Sequence, residues 1–128
     1  TASLDRKTMS RKVLIVDDSN YTQSVITKAL QGNSAYEIVG VAGDGASALS
    51  MARSTKPDLI TLDNILPDMI GMNMIKSFKA DNPHVKIVMV SAIQQQSIID
   101  QAMSLGADSY LVKPITKENL IVALEQTL

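Results

Sequence analysis

Five short aliphatic runs, each followed by a stretch of helical period, constrain this chain more than any other feature. The runs occupy residues 13–16, 38–41, 59–62, 87–90 and 110–112. The first and fourth are rich in Val and Ile and show no polar alternation, as a strand does when helices cover both of its faces. The intervening stripes are Val25, Ile26, Ala29 and Leu30; Ala48, Leu49 and Ala52; Met74, Ile75 and Phe78; Ile98, Ile99, Ala102 and Met103; and Leu120, Ile121, Ala123 and Leu124. Each sets one apolar face on a helix otherwise clothed in Lys, Gln, Ser and Thr.

The punctuation agrees. Gly32–Asn33 follows the first helical stretch, Pro57 stops the second and Asp81-Asn82-Pro83 the third. Gly106 stands where a left-handed cap is wanted after Leu105, and Thr116 where an N-cap is wanted. Asp44–Gly45 reads as a turn with a helix cap. Five strands alternating with five helices predict an α/β fold, a doubly wound parallel (βα)5 sandwich with right-handed crossovers. With 128 residues there is length for one such domain, over 11–128. Residues 1–10 carry no apolar segment and read as a floppy leader, a vector-derived stretch or the tail of an upstream element.

Composition removes several function classes. Twelve Lys and Arg against thirteen Asp and Glu leave no basic excess for nucleic-acid phosphates. The absence of Cys removes disulfides, thiolate metal sites and Cys nucleophiles, and fits a cytoplasmic location; one His excludes multi-His metal centres. No apolar run approaches the roughly 20 residues of a membrane span. Seven Met beside three Tyr, one Phe and no Trp imply a core of aliphatics and thioethers, in which Met72 and Met74 serve either as core or as an adaptable partner surface.

In such a sheet a ligand sits beyond the carboxyl ends of the strands. The residues that follow the runs are Asp17 and Asp18, then Asp63, Ser91 and Lys113. Two carboxylates about 4 Å apart repel by roughly 1–4 kcal/mol, so three together want a counter-charge. Mg2+ suits an all-oxygen set, and the soft-metal alternatives have no ligands here. The set supports attack by an Asp oxygen on phosphorus to give an acyl phosphate, with Mg2+ and Lys113 offsetting charge and Ser91 donating to a phosphoryl oxygen.

Four separated motifs carry a resemblance: Val13-Leu-Ile-Val-Asp-Asp-Ser19; Pro57-Asp-Leu-Ile-Thr-Leu-Asp63 with Pro67 and Gly71; Val90-Ser-Ala92; and Gly106-Ala-Asp-Ser-Tyr-Leu-Val-Lys-Pro114. In this order over residues 11–128, the chain resembles the response-regulator receiver domain, of the CheY-like chemotaxis type. The resemblance implies a flavodoxin-like strand order of 2-1-3-4-5, an order for which CheY is itself a standard example. It implies Asp63 as phosphoacceptor and Mg2+ held by Asp17 (chiefly through water), Asp18, Asp63 and the backbone carbonyl of Ile65. Ser91 and Lys113 then bind the phosphoryl group, small Ala92 leaves it reachable, and Lys113–Pro114 is a cis peptide. Tyr110 is implied as a switch that turns inward when the Ser91 loop closes.

The partners implied are a histidine kinase, a downstream protein target and a phosphatase, with no nucleic acid and no membrane. The resemblance further implies a monomer or a weak phosphorylation-dependent dimer, and no enzyme beyond its own phosphorylation and dephosphorylation. The readout surface is the fourth helix, fifth strand and fifth helix, entered by Gln94-Gln95-Gln96. A receiver cut from a longer regulator with a DNA-binding or enzymatic output is the alternative. A Mg2+-dependent phosphohydrolase fits less well, because no acid lies two residues beyond Asp63. His84, after Asn82–Pro83, reads as an exposed turn residue.

Position 65 is Ile and so is position 93, two beyond Ser91; in the family these side chains overhang the phosphoryl group. Two branched aliphatics hinder an attacking water, which implies a long-lived phosphoryl state. Ile65→Asn is expected to shorten the phosphoryl lifetime in a dephosphorylation time course; equal rates would reject the idea.

Overall fold

The computed structural model describes residues 10–128, so all but the last residue of the expected leader lies outside the described residues. Eleven elements follow one another: β1 (Arg11–Val16), α1 (Asn20–Leu30), β2 (Tyr36–Ala42), α2 (Gly45–Thr55), β3 (Leu59–Leu62), a 3-10 turn (Gly71–Met74), α3 (Ile75–Asp81), β4 (Lys86–Ser91), α4 (Gln96–Ser104), β5 (Ser109–Val112) and α5 (Lys117–Thr127). All five strands are parallel, in the order β2-β1-β3-β4-β5. The expected doubly wound sandwich is therefore the observed one.

The two faces of the sheet explain the unbroken apolar runs. Leu14, Val16, Ile60, Leu62, Ile87 and Met89 form one layer with Ala48 and Ala52 of α2, Ile75 and Phe78 of α3 and Ala102 of α4. Val13, Ile15, Leu59, Val88 and Val90 form the other with Ile26, Ala29 and Leu30 of α1 and Leu120 and Leu124 of α5. Successive side chains of a strand point to opposite faces, so a strand sandwiched between two apolar layers has no position left for a polar residue. Met72 and Met74 are buried in the first layer, which assigns that pair to the core.

The helix ends follow local chemistry. Ser19 caps α1 by accepting from Thr22 N at 3.3 Å, and Asp44 caps α2 by accepting from Ser47 N at 2.7 Å. Thr116 and Asn119 form a reciprocal capping box at α5. Gly106 has φ +116° and its N–H bonds Met103 O, as expected of a C-terminal glycine. The end of α2 differs from its sequence signal: the chain reverses at Lys56, held in the left-handed region at φ 48°, and Pro57 only follows. Helix α4 has no side-chain cap, and Ala102 is its sole fully buried residue. His84 is exposed in the turn before β4. No helix among the described residues is long and apolar enough to cross a membrane.

Thr61 breaks the apolar rule in the middle of a strand. Thr61 is 1% exposed, and its register partners Ile15 and Val88 both belong to the α1/α5 layer. Its hydroxyl has no hydrogen-bond partner. An unpaired buried hydroxyl costs about 1–3 kcal/mol, whereas its near-isosteric methyl would cost nothing of that kind. Thr61→Val is therefore expected to raise the unfolding free energy by about 1 kcal/mol in urea denaturation.

Candidate functional site

Parallel pairing carries the acids to one place. Val16, the last residue of β1, lies beside Leu62, the last of β3, so the next residues, Asp17 and Asp63, emerge side by side. Each is fixed by its backbone: Asp17 N bonds Ala42 O at 3.0 Å and Asp63 N bonds Val16 O at 2.9 Å. Asp17 and Asp63 are 1% and 5% exposed, while Asp18 faces solvent. One carboxylate oxygen from each of Asp17, Asp18 and Asp63 falls within 4.8 Å of the others. The first loop is braced further by Ser19 N donating to Asp17 Oδ1 at 2.9 Å and Gln23 Nε2 donating to Asp17 O at 2.5 Å.

The fifth strand supplies the counter-charge. Lys113 N bonds Ser91 O at 2.8 Å, and its Nζ lies 3.0 Å from Asp17 Oδ2 and 3.5 Å from Asp63 Oδ2. Lys113–Pro114 is cis, as expected. One ammonium does not balance three acids. Burial, and next the Asp17 carboxylate, push the Asp63 carboxyl up to about 6; Lys113 and a backbone bond from Ile65 pull it down, and Asp18 adds a smaller upward push.

A cation fits this donor set. Asp17 Oδ2 is buried without an aligned hydrogen bond, so its contact with Lys113 is charge pairing alone, and the oxygen keeps lone-pair capacity. The three donors are hard carboxylate oxygens, two buried and one open to solvent, which suits a divalent ion that retains water.

The other expected residues surround this edge. Ser91, at the end of β4, is buried, and its Oγ accepts from Ile93 N at 3.2 Å. Ala92 is exposed and Ile93 half-buried; Gln94, Gln95 and Gln96 all face solvent. The Tyr110 ring packs against the first apolar layer, and its hydroxyl donates to Ile93 O at 2.9 Å. Ser91, Ile93 and Tyr110 thus form one hydrogen-bonded chain. Ile65 is 54% exposed and pairs with Ile70 in an antiparallel bridge.

Asn64, Asp68 and Gln23 carry no role in the sequence reading, and Gly71 enters it only as part of a motif. Asn64, next to Asp63, is buried; its carbonyl accepts from Gly71 N at 2.6 Å and its Oδ1 from Met72 N at 3.0 Å. A Cβ at Gly71 would strike the Asp63 carbonyl oxygen, so glycine is required by that close approach. Asp68 and Gln23 likewise bond backbone groups of other segments. The amide directly after a buried acid was the one available signal, since an apolar core seldom accepts Asn without a partner.

Comparison with known proteins agrees with this geometry. The family model described as the response regulator receiver domain matches residues 13–125. The chain is 34% identical over 120 residues to the chemotaxis protein CheY of Bacillus subtilis, covering 94% of this chain and 99% of that one. It is 32% identical over 119 residues to the response regulator protein VraR of Staphylococcus aureus, covering 93% of this chain but 57% of VraR. Among solved structures, the REC domain of AraT, a response regulator from Geobacillus stearothermophilus, superposes with a TM-score of 0.84 at 28% identity, over 93% of each chain.

The raised Asp63 pKa sets a pH dependence. The native state holds this proton more tightly than the unfolded chain, whose pKa is near 3.8, so stability falls as pH rises from about 4 to about 6. Without divalent cations, Asp63→Asn is expected to exceed the wild type by about 1–3 kcal/mol at pH 8, with the gap closing towards pH 4. Urea titrations across this range measure it.

Proposed function

Because the chain belongs to the response-regulator receiver family, we propose that it accepts a phosphoryl group on Asp63 and passes the change to a protein partner. The donor in this reading is a histidine kinase, or a small acyl phosphate in its place. An Asp63 oxygen attacks phosphorus as the bond to the donor's leaving group breaks, leaving an acyl phosphate on Asp63. One observation carries the reading: a buried carboxylate at a strand end lies beside a second acid and within 3.5 Å of an ammonium.

Asp17, Asp18, Asp63 and the Ile65 carbonyl would hold Mg2+, which when bound supplies charge neutralisation for the phosphoryl oxygens. Lys113 is paired with Asp17 and Asp63 at rest. On phosphorylation it exchanges a carboxylate oxygen for a phosphoryl oxygen with little movement. Ser91 offers the hydroxyl donor, and its Oγ already accepts from Ile93 N, so a new bond from Ser91 bears on the loop that Tyr110 holds. One charge-assisted hydrogen bond is worth roughly 1.5–3 kcal/mol, comparable with an ordinary allosteric coupling.

The partner would read α4, β5 and α5. Similarity to CheY along nearly its whole length supports chemotaxis or motility signalling in the cytoplasm, with self-phosphorylation and dephosphorylation as the only chemistry. VraR, in which the matching region is a little over half the chain, supports the second reading of a receiver joined to an output segment; the full reading frame separates the two.

Acetyl phosphate with Mg2+ is expected to add a phosphoryl group at Asp63, read by mass spectrometry of the borohydride-trapped protein. Asp63→Asn is expected to abolish the adduct and Lys113→Ala to slow its formation by about 100-fold, the scale for one lost electrostatic donor. Labelling at another residue would overturn the assignment.

A further inference from the structure

The segment after Asp63 is a closed hairpin with an anchored tip. Asn64 O accepts from Gly71 N, Ile65 pairs with Ile70, and Leu66 N donates to Met69 O at 3.1 Å. At the tip, exposed Asp68 reaches across to helix α2, where Oδ1 accepts from Gly45 N at 2.7 Å and Oδ2 from Ala46 N at 3.0 Å. Met69 lies against Gly45, on the space a side chain there would fill.

Helix α2 already has its own cap in Asp44, which bonds Ser47 N. Asp68 therefore satisfies two further first-turn donors from a segment 23 and 22 residues away. Those two bonds hold its carboxyl below the usual carboxylate range, so it stays anionic near neutral pH. The helix that receives the clamp starts three residues after Ala42, whose carbonyl fixes Asp17 N. One carboxylate thus ties the hairpin following Asp63 to the segment that positions Asp17.

We infer that Asp68 is a positioning residue for the cation site: its two bonds to Gly45 and Ala46 hold the 64–71 hairpin so that the Ile65 carbonyl and the Asp63 carboxylate keep a fixed spacing from Asp17. The inference rests on the Mg2+ reading above. It requires that a residue outside the ligand set govern affinity for the ion, as outer partners of metal ligands do.

The test compares Asp68→Ala and Asp68→Asn with Asp44→Ala, which removes the helix's own cap and leaves the hairpin untouched. Mg2+ dissociation constants come from 1H–15N amide shifts of the full chain, and denaturation midpoints are measured on the same samples. Asp68→Ala is expected to weaken Mg2+ binding about tenfold. Asp68→Asn, which keeps one acceptor, falls between Asp68→Ala and the wild type. Asp44→Ala is expected to lower the midpoint while binding Mg2+ within about twofold of the wild type. Equal Mg2+ affinity in Asp68→Ala and wild type, or an equal loss in Asp44→Ala, would overturn the clamp alone. A wild type that takes up no Mg2+ would overturn the metal reading itself, and the clamp with it.

Discussion

Everything at the carboxyl edge of this sheet depends on keeping buried negative charge beside a single ammonium. Asp17 and Asp63 are packed nearly out of water, 3.0 and 3.5 Å from Lys113 Nζ, and with Asp18 beside them three carboxylates face that one ammonium. A group of surface acids would relax apart. These cannot, because each begins where a strand ends and its backbone N–H is bonded to the neighbouring strand's last carbonyl. The sheet thus supplies the rigidity that lets an unfavourable charge arrangement persist, a use of fold stability common at functional sites.

The same edge is joined to the surface by short bonded chains instead of broad packing. Ser91 Oγ, the Ile93 peptide and the Tyr110 hydroxyl connect the end of β4 to the ring of a β5 residue. On the other side, Asn64 and Asp68 fasten the hairpin after Asp63 to its own base and to α2. Both paths run through backbone groups of the loops, so a change in loop shape bears on them directly.

The architecture was legible because its rule is simple: strands covered on both faces are almost continuously apolar, and the polar residues that follow four of the five runs mark the candidate site edge. Asp17, Asp18, Asp63, Ser91 and Lys113 are all readable from that pattern. Other features obey no short-range rule. Asp68 reads from sequence as a solvated turn residue, and its contact with Gly45 exists only after two crossovers have been folded. Lys56 adopts a left-handed conformation usually left to Gly or Asn, in front of a proline that disguises where the reversal lies. Thr61 looks like an ordinary β-former, and only the register reveals that its hydroxyl is stranded between apolar neighbours.

Helix α4, anchored by Ala102 and lacking a capped start, divides the molecule's stability into two scales. Opening the sheet must break both apolar layers at once, whereas freeing α4 releases one fully buried residue, Ala102, and the half-buried Ile98. Its amide protons should therefore exchange through a shallow local opening, long before those of β1, β3 and β4 exchange through global unfolding. Substitutions that strengthen the central strands can then raise the melting temperature without slowing the opening of this helix, so global and local stability can be tuned separately.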